Sequence, residues 1–176
     1  MDIIWFLFGL SGAGKNYVGD LLSKQTGWPV YHADQDLTEE MRLALAQTRP
    51  FTDAMRDDYF ARLPALIRQH QQRGLPLIVT QGAYKKRHRE FLQLHLPQIQ
   101  FVWVDAPHAL ILQRLGSRRQ GIGADSAAAL FRDFEAPPED SCIVVHNDGD
   151  NNRILEQLQQ QLSAVNARLT DTSQLI

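Results

Sequence analysis

A short glycine-rich stretch near the start of the chain has the residue types and spacing of a phosphate-binding loop. Residues 9–15 fit the pattern Gly-x-x-x-x-Gly-Lys. Glycines let such a loop curl until its backbone N–H groups point inward, and the helix that follows adds its positive end. The sequence therefore predicts a polyphosphate site. The residues expected to bind the nucleotide here are Gly9, Ser11, Gly12, Ala13, Gly14, Lys15 and Asn16.

The last two residues of this loop carry its chemistry. Lys15 is expected to reach the β- and γ-phosphates of a nucleotide. The next position usually holds Ser or Thr, whose hydroxyl oxygen binds Mg²⁺, but here it is Asn16. An amide oxygen can also ligate a hard cation, although the amide brings a donor as well. We therefore expect ATP and Mg²⁺ at this loop, with Asn16 as the candidate metal ligand.

Apolar runs alternate with amphipathic stretches along the whole chain and predict the elements that hold this loop. The predicted strands are 2–8, 29–33, 75–80, 99–105 and 141–145, and the predicted helices are 14–26, 35–47, 53–72, 84–95, 107–118, 125–133 and 151–167. Runs such as 77–79 and 101–104 are apolar throughout, which is typical of a parallel sheet covered on both faces. The predicted fold is an α/β three-layer sandwich with a five-stranded parallel sheet.

In a parallel sheet, ligands bind beyond the carboxyl ends of the strands, so the residues after each strand are candidates for chemistry. Asp34 and Asp36 follow the second strand. They are interpreted either as helix-capping groups or, for Asp34, as the group that hydrogen-bonds a substrate hydroxyl and accepts its proton. A basic run, 85–90, follows the third strand. Lys85 and Arg89 are spaced to share a helix face and hold an anion, although a solvated basic face is the alternative.

A second basic group lies at 114–119 and precedes the glycine-containing stretch 120–125. Cations on a hinged segment suit a lid that closes over a nucleotide and neutralises charge during transfer. Arginines near a helix C-terminus also stabilise the helix by themselves. We predict a lid around 116–126, with Arg114 binding the nucleotide.

Composition narrows the class of protein. The chain has 176 residues, 22% of them charged, and a formal net charge of −2, which gives no electrostatic drive toward nucleic acid or an acidic membrane. Its single cysteine, Cys142, excludes an intrachain disulfide and suits a reducing compartment. We expect a cytoplasmic protein with one domain over 1–168 and a frayed tail over 169–176.

Four segments of the chain resemble the small P-loop kinases of the gluconate kinase type, which are relatives of shikimate kinases and nucleoside monophosphate kinases. The resemblance extends over about residues 3 to 165. Besides the loop, 50–56 is similar to Pro-Leu-x-Asp-x-x-Arg and 81–90 resembles Ser-Ala-Leu-Lys-Lys/Arg-x-Tyr-Arg-Asp. The fourth part, 114–119 with 130–137, resembles the lid and the helix after it.

The resemblance implies roles for individual residues. Arg56, Lys85 and Arg89 would bind the substrate, and Arg118 would contact the γ-phosphate. The chain departs from the family's pattern at the Asn16 position and at the lid, where Gly121-Ile122 replaces His-Phe. It departs again after the second strand, where His32-Ala33-Asp34 replaces Asp-Gly-Asp.

The leading hypothesis is an ATP-dependent kinase that phosphorylates a hydroxyl of a small anionic polyol or sugar acid, with Lys15, Asp34 and Arg118 as catalytic residues. One alternative is a nucleotide-binding module with weak or no turnover, a pseudokinase, and others are a shikimate kinase-like enzyme and a non-catalytic α/β scaffold. The expected partner is a small molecule, not nucleic acid or a membrane. The oligomeric state, a homodimer included, is left open.

Overall fold

The computed structural model of the chain describes residues 3–117, 127–138 and 141–172. Five strands form one sheet in the order β2-β3-β1-β4-β5, and every neighbouring pair is parallel. The strands are β1 Ile4–Phe8, β2 Val30–His32, β3 Leu77–Thr80, β4 Ile99–Asp105 and β5 Ile143–His146. The predicted α/β fold with a five-stranded parallel sheet is confirmed.

Seven α-helices of the described residues connect and cover these strands. They are α1 Lys15–Thr26, α2 Glu39–Ala46, α3 Asp53–His70, α4 Lys86–His95, α5 His108–Gly116, α6 Ala127–Asp133 and α7 Asn151–Thr172. Within the described ranges, none of them is long and apolar enough to cross a membrane.

The central strand shows why the sheet needs helices on both faces. All five side chains of β1 are fully buried. Phe6 and its alternate neighbours pack with side chains of α2, α3 and α4, such as Leu63 and Leu92. Trp5 and Leu7 pack instead with α1, α5 and α7. An uninterrupted apolar strand is stable only when both of its faces are covered in this way, because each face buries apolar area.

The region after β2 differs from the single helix predicted over 35–47. Residues Ala33–Asp36 form a 3₁₀ turn, and α2 begins only at Glu39. The side chain of Thr38 accepts a hydrogen bond from the backbone N–H of Met41 at 3.2 Å and caps the new helix. Threonine at an N-cap satisfies one of the first orphan N–H groups, so the helix starts there.

The predicted lid can be followed only in part. Helix α5 ends at Gly116 and α6 begins at Ala127, but most of the lid, including Arg118, lies outside the described residues. Its role stays a prediction.

The strand register brings the candidate residues to one edge of the sheet. His32 at the end of β2 pairs with Thr80 at the end of β3, and Thr80 pairs in turn with Leu7 of β1. Because the strands are parallel, their carboxyl ends lie side by side, and the loop after β1 starts at the same edge.

Candidate active site

The loop between β1 and α1 has the backbone of an anion cradle. Gly12 and Gly14 have φ values of +89° and +90°. A Cβ on Gly9 would overlap the carbonyl oxygen of Val104, and one on Gly14 would overlap Nδ2 of Asn147. Gly14 is also the N-cap of α1, and no side chain caps the helix there. No side-chain cap at this helix N-terminus would therefore compete with an anion.

Two side chains contact the backbone of this loop from within the site. Nζ of Lys15 donates to the carbonyl oxygen of Leu10 at 3.0 Å, so the ammonium group lies against the loop. The backbone N–H of Ser11 donates to the phenol oxygen of Tyr84 at 2.7 Å. Burial raises the pKa of Tyr84 to about 12, so this phenol is neutral at physiological pH.

Behind the loop, Arg114 and Asn147 form a brace. The guanidinium of Arg114 lies 3.2 Å from the carbonyl oxygen of Gly12 and 3.3 Å from that of Ala13, and it donates to Oδ1 of Asn147 at 3.2 Å. Nδ2 of Asn147 donates to Ala13 at 2.8 Å, and Asn147 is almost fully buried. Because these carbonyls are bound from behind, the backbone of the loop is held in its curled shape.

Asn16 is the end of a chain of four hydrogen-bonded residues. The hydroxyl of Thr80 donates to Oδ1 of Asn16 at 2.7 Å. Nδ1 of His32 lies 2.9 Å from the same hydroxyl, and Nε2 of His32 lies 3.0 Å from Oδ1 of Asp20. These side-chain contacts therefore join α1 to the ends of β3 and β2.

Of the two carboxylates after β2, only one is held by a hydrogen bond. Oδ2 of Asp36 accepts from the phenol of Tyr31 at 2.8 Å. Asp34 is exposed, and among the described residues no hydrogen bond engages its carboxylate. Asp34 follows the carboxyl end of β2, at the edge of the sheet where the phosphate loop also starts. This position suits a group that orients a substrate hydroxyl.

Two cations, Arg56 and Lys85, are partly neutralised by acids at and just after the end of α6. Nη2 of Arg56 is 3.1 Å from Asp133. Nζ of Lys85 is 3.9 Å from Asp133 and 3.8 Å from Glu135. Both cationic side chains are mostly buried, with 11% and 14% exposed, whereas Asp133 is 42% exposed. Arg56 also lies over the ring of Tyr84, 5.9 Å from its centroid.

Arg89 does not join this pair. It is 7% exposed, and its guanidinium donates to the backbone carbonyls of Ala83 at 2.7 Å, Tyr84 at 3.2 Å and Glu135 at 2.7 Å. The same group lies over the ring of Phe8, 5.0 Å from its centroid. Burial lowers the pKa of Arg89. Its contacts fix the segment before α4 to the segment after α6, a structural task that four-residue spacing could not indicate.

The rest of the basic run is also divided among separate partners. Arg87 donates to Asp57 at 2.8 Å, and the buried His88 contacts the same carboxylate through Nε2 at 2.6 Å. Lys86 pairs with Glu90 at 3.4 Å. Most of these cations therefore connect α4 to α3 or stay on its surface, whereas Lys85 shares Asp133 with Arg56.

Four residues of the site were missed as candidates in the sequence. Asn147 lies directly after β5 and Tyr84 lies in the loop that follows β3, where the position of the strand ends was the available signal. Thr80 ends β3 and looks like one more strand residue. Asp133 lies far along the chain at the end of α6, and no motif marks it.

Comparison with known proteins gives the family. Residues 6–130, well over half of the chain, match the family model of the AAA domain. The chain belongs to the AAA domain family. The part matched to the AAA domain includes the loop, Asp34, Arg56, Lys85 and Arg114, and it ends before Asp133.

Relatives of this AAA domain chain carry kinase names. A probable gluconokinase of Mus musculus is 33% identical over 89 residues, which are 51% of this chain and 48% of that protein. The alignment thus spans about half the length of the mouse relative. The gluconokinase of Gluconobacter oxydans is 26% identical over 161 residues, 90% of each chain.

Solved structures agree on the fold of the AAA domain chain. A gluconokinase from Sinorhizobium meliloti superposes with a TM-score of 0.82 at 21% identity and covers 98% of this chain and 97% of its own. A shikimate kinase from Bacteroides thetaiotaomicron gives 0.61 at 16% identity, with 93% and 98% covered. The predicted resemblance to gluconokinases and shikimate kinases is confirmed.

Proposed function

We propose that this chain is a kinase that moves the γ-phosphoryl group of ATP to a hydroxyl of a small anionic polyol or sugar acid, with gluconate as the first candidate. The observation that carries the proposal is that a phosphate loop and a cation pair, Arg56 and Lys85, lie close together, with the two cations sharing Asp133 as a partner. Tyr84 contacts both, through Ser11 of the loop and through Arg56. The gluconokinase relatives support the same class of substrate.

In the proposed phosphoryl transfer, one set of residues holds the phosphates and another orients the acceptor hydroxyl. Lys15 and the N–H groups at the start of α1 hold the phosphates. Asp34 hydrogen-bonds the acceptor hydroxyl, whose oxygen attacks the γ-phosphorus while the bond from that phosphorus to the bridging oxygen breaks. ADP leaves with that oxygen, and the hydroxyl proton passes to Asp34. Arg118 is proposed to contact the γ-phosphate from the lid.

Recognition of the acceptor's negative charge falls to Arg56 and Lys85. In the structure Asp133 faces both cations, in the position that a substrate carboxylate would take. A carboxylate of the substrate would therefore displace that of Asp133 and gain two charge-assisted contacts. Arg89 is left out of this proposal because its donors are already used by backbone carbonyls.

The donor set does not fit a Mg²⁺ ion held by the loop's last residue. Oδ1 of Asn16 faces the hydroxyl of Thr80, which donates to one of its two lone pairs, and among the described residues no group of three acidic, His or Cys side chains could hold a metal. Mg²⁺ is proposed only as part of the substrate, entering with ATP on the phosphate oxygens.

The test of the proposal is a coupled assay of ADP release with gluconate, other sugar acids and shikimate. Wild-type protein is expected to turn over a sugar acid, and Lys15→Ala to lower kcat/KM at least about a hundredfold, because a charge-stabilising donor is lost. Lys24→Ala, an exposed lysine of the same helix, is the control and keeps wild-type activity. Unchanged transfer by Lys15→Ala would contradict the proposal. A wild-type protein that binds ADP but phosphorylates none of the acceptors would favour the pseudokinase alternative.

A further inference from the structure

Two of the departures from the kinase pattern, Asn16 and His32, are in contact with the same side chain. Both contact the hydroxyl of Thr80, Asn16 through Oδ1 at 2.7 Å and His32 through Nδ1 at 2.9 Å. A sequence comparison would treat them as separate losses, one of a hydroxyl and one of an acid. The fold places them on either side of the same hydroxyl group.

The hydroxyl proton of Thr80 determines which end of the Asn16 amide is occupied. A threonine hydroxyl has a single proton, and here it is donated to Oδ1 of Asn16. Nδ1 of His32 lies 2.9 Å from the oxygen of the same hydroxyl, and Nε2 of His32 lies 3.0 Å from the carboxylate of Asp20. With Oδ1 of Asn16 held by Thr80, the amide nitrogen of Asn16 faces away from Thr80.

This arrangement leaves the other end of the amide for a ligand. Asn16 is exposed at the second position of α1, beside the helix N–H groups, and no described residue accepts a hydrogen bond from its Nδ2. An N–H₂ group suits a phosphate oxygen and cannot ligate a cation. Many phosphate-loop proteins place an acid at the end of a neighbouring strand to hold Mg²⁺, but β3 ends in Thr80, whose hydroxyl lies between Asn16 and His32.

We infer that Asn16 binds the terminal phosphates of the nucleotide through its amide N–H₂ group, and that Thr80 and His32 are positioning residues that hold the amide in this orientation. The inference rests on the proposed nucleotide binding. It replaces the predicted contact of Asn16 with Mg²⁺ by a direct contact with the anion. The protein should consequently bind ADP well without any divalent cation.

The test is calorimetric titration with ADP, once in EDTA and once with millimolar Mg²⁺. Wild-type protein is expected to bind ADP in both. Asn16→Asp keeps the size of the side chain and replaces the N–H₂ donor by an anionic oxygen, so its affinity in EDTA should fall about 10- to 100-fold, the cost of losing a hydrogen bond to a charged group. Gln25→Glu adds the same charge at an exposed site of α1 and is the matched control, with no change expected.

Variants of Thr80 test its positioning role. Thr80→Val removes the hydroxyl and keeps the shape, so Asn16 loses its fixed orientation, and ADP affinity in EDTA should fall about three- to tenfold. Thr80→Ser restores the hydroxyl and should restore the affinity. Thermal unfolding of each variant checks that it is folded. If Thr80→Val bound ADP in EDTA as tightly as wild type, the positioning role would be wrong.

The remaining outcomes separate this inference from the proposed function. If wild type binds only Mg-ADP, and Asn16→Asp binds Mg-ADP equally well, Asn16 is a metal ligand and only this inference fails. If wild type binds ADP in neither condition, the proposed function fails and this inference fails with it.

Discussion

At the scale of single residues, Tyr84 shows how the site is arranged before a nucleotide binds. Its phenol oxygen accepts the N–H of Ser11, and its ring supports Arg56. Because burial raises its pKa to about 12, the phenol adds no negative charge to the loop. The loop N–H is thus satisfied by a neutral group that an incoming phosphate oxygen can replace.

We expect Tyr84→Phe to bind ADP about two- to tenfold more tightly than wild type, because the phosphate no longer competes with the phenol for Ser11. Titration calorimetry measures the change. Tyr59→Phe is the control, since its hydroxyl bonds Ala33 and Gln81 rather than the loop. Equal or weaker ADP binding by Tyr84→Phe would mean that the phenol does not compete with phosphate.

At the scale of elements, the contact between α3 and α4 gives the basic run a structural purpose. His88 of α4 is buried, stacks on Phe60 at 4.3 Å and contacts Asp57 of α3 at 2.6 Å. Burial lowers the pKa of His88, and hydrogen bonds from His88 and Arg87 hold the pKa of Asp57 below its ordinary value. Both groups therefore favour the folded state more at neutral than at acid pH.

The lowered pKa of His88 determines whether the stability of the fold rises or falls with pH. For a histidine whose folded pKa is lowered, the unfolded chain binds more protons once the pH falls below about 6.5, so stability decreases as the pH falls toward the folded pKa. We expect the melting temperature to drop between about pH 7 and about pH 5, and to drop less in His88→Phe, which keeps the ring but not the titration. His95→Gln, on the exposed side of α4, should keep the wild-type slope. Parallel slopes for wild type and His88→Phe would contradict this account.

At the scale of the whole molecule, the phosphate loop is held by parts of the chain more than a hundred residues away. Arg114 of α5 and Asn147 after β5 bind the carbonyls of Gly12 and Ala13 from behind. Gly14 packs so closely on Asn147 that a side chain would not fit. The shape of the loop therefore depends on the folded sheet as well as on its own glycines.

Asn147→Ala should lower the free energy of unfolding by about 1 to 3 kcal/mol, because Ala13 and Arg114 each lose a buried partner. ADP affinity should fall at the same time, since the loop loses part of its support. Denaturant unfolding and calorimetry measure the two effects. Asn152→Ala, an exposed residue at the start of α7, is expected to change neither. If Asn147→Ala lost stability alone, the brace would serve the fold but not the site.

The sequence predicted much of the fold, and the reason is that its signals are local. Uninterrupted apolar runs such as 77–79 indicate strands buried on both faces, and a glycine loop before a helix indicates a phosphate site. The sequence-based prediction was less accurate at the start of α2. Periodicity predicted a helix from residue 35, but the side chain of Thr38 caps the helix and makes it begin later. Periodicity alone does not show where a helix begins.

The sequence by itself determined the order of strands and helices, the phosphate loop and the identity of its unusual last residue. Only the tertiary structure decided the partners of the charged and polar side chains. It buried Arg89 among carbonyls, turned Lys85 toward Asp133, and joined Asn16 to His32 through Thr80. The physical reason is that backbone conformation follows from neighbours in the chain, whereas a side chain's hydrogen-bond partner depends on which distant strands and helices the sheet places beside it.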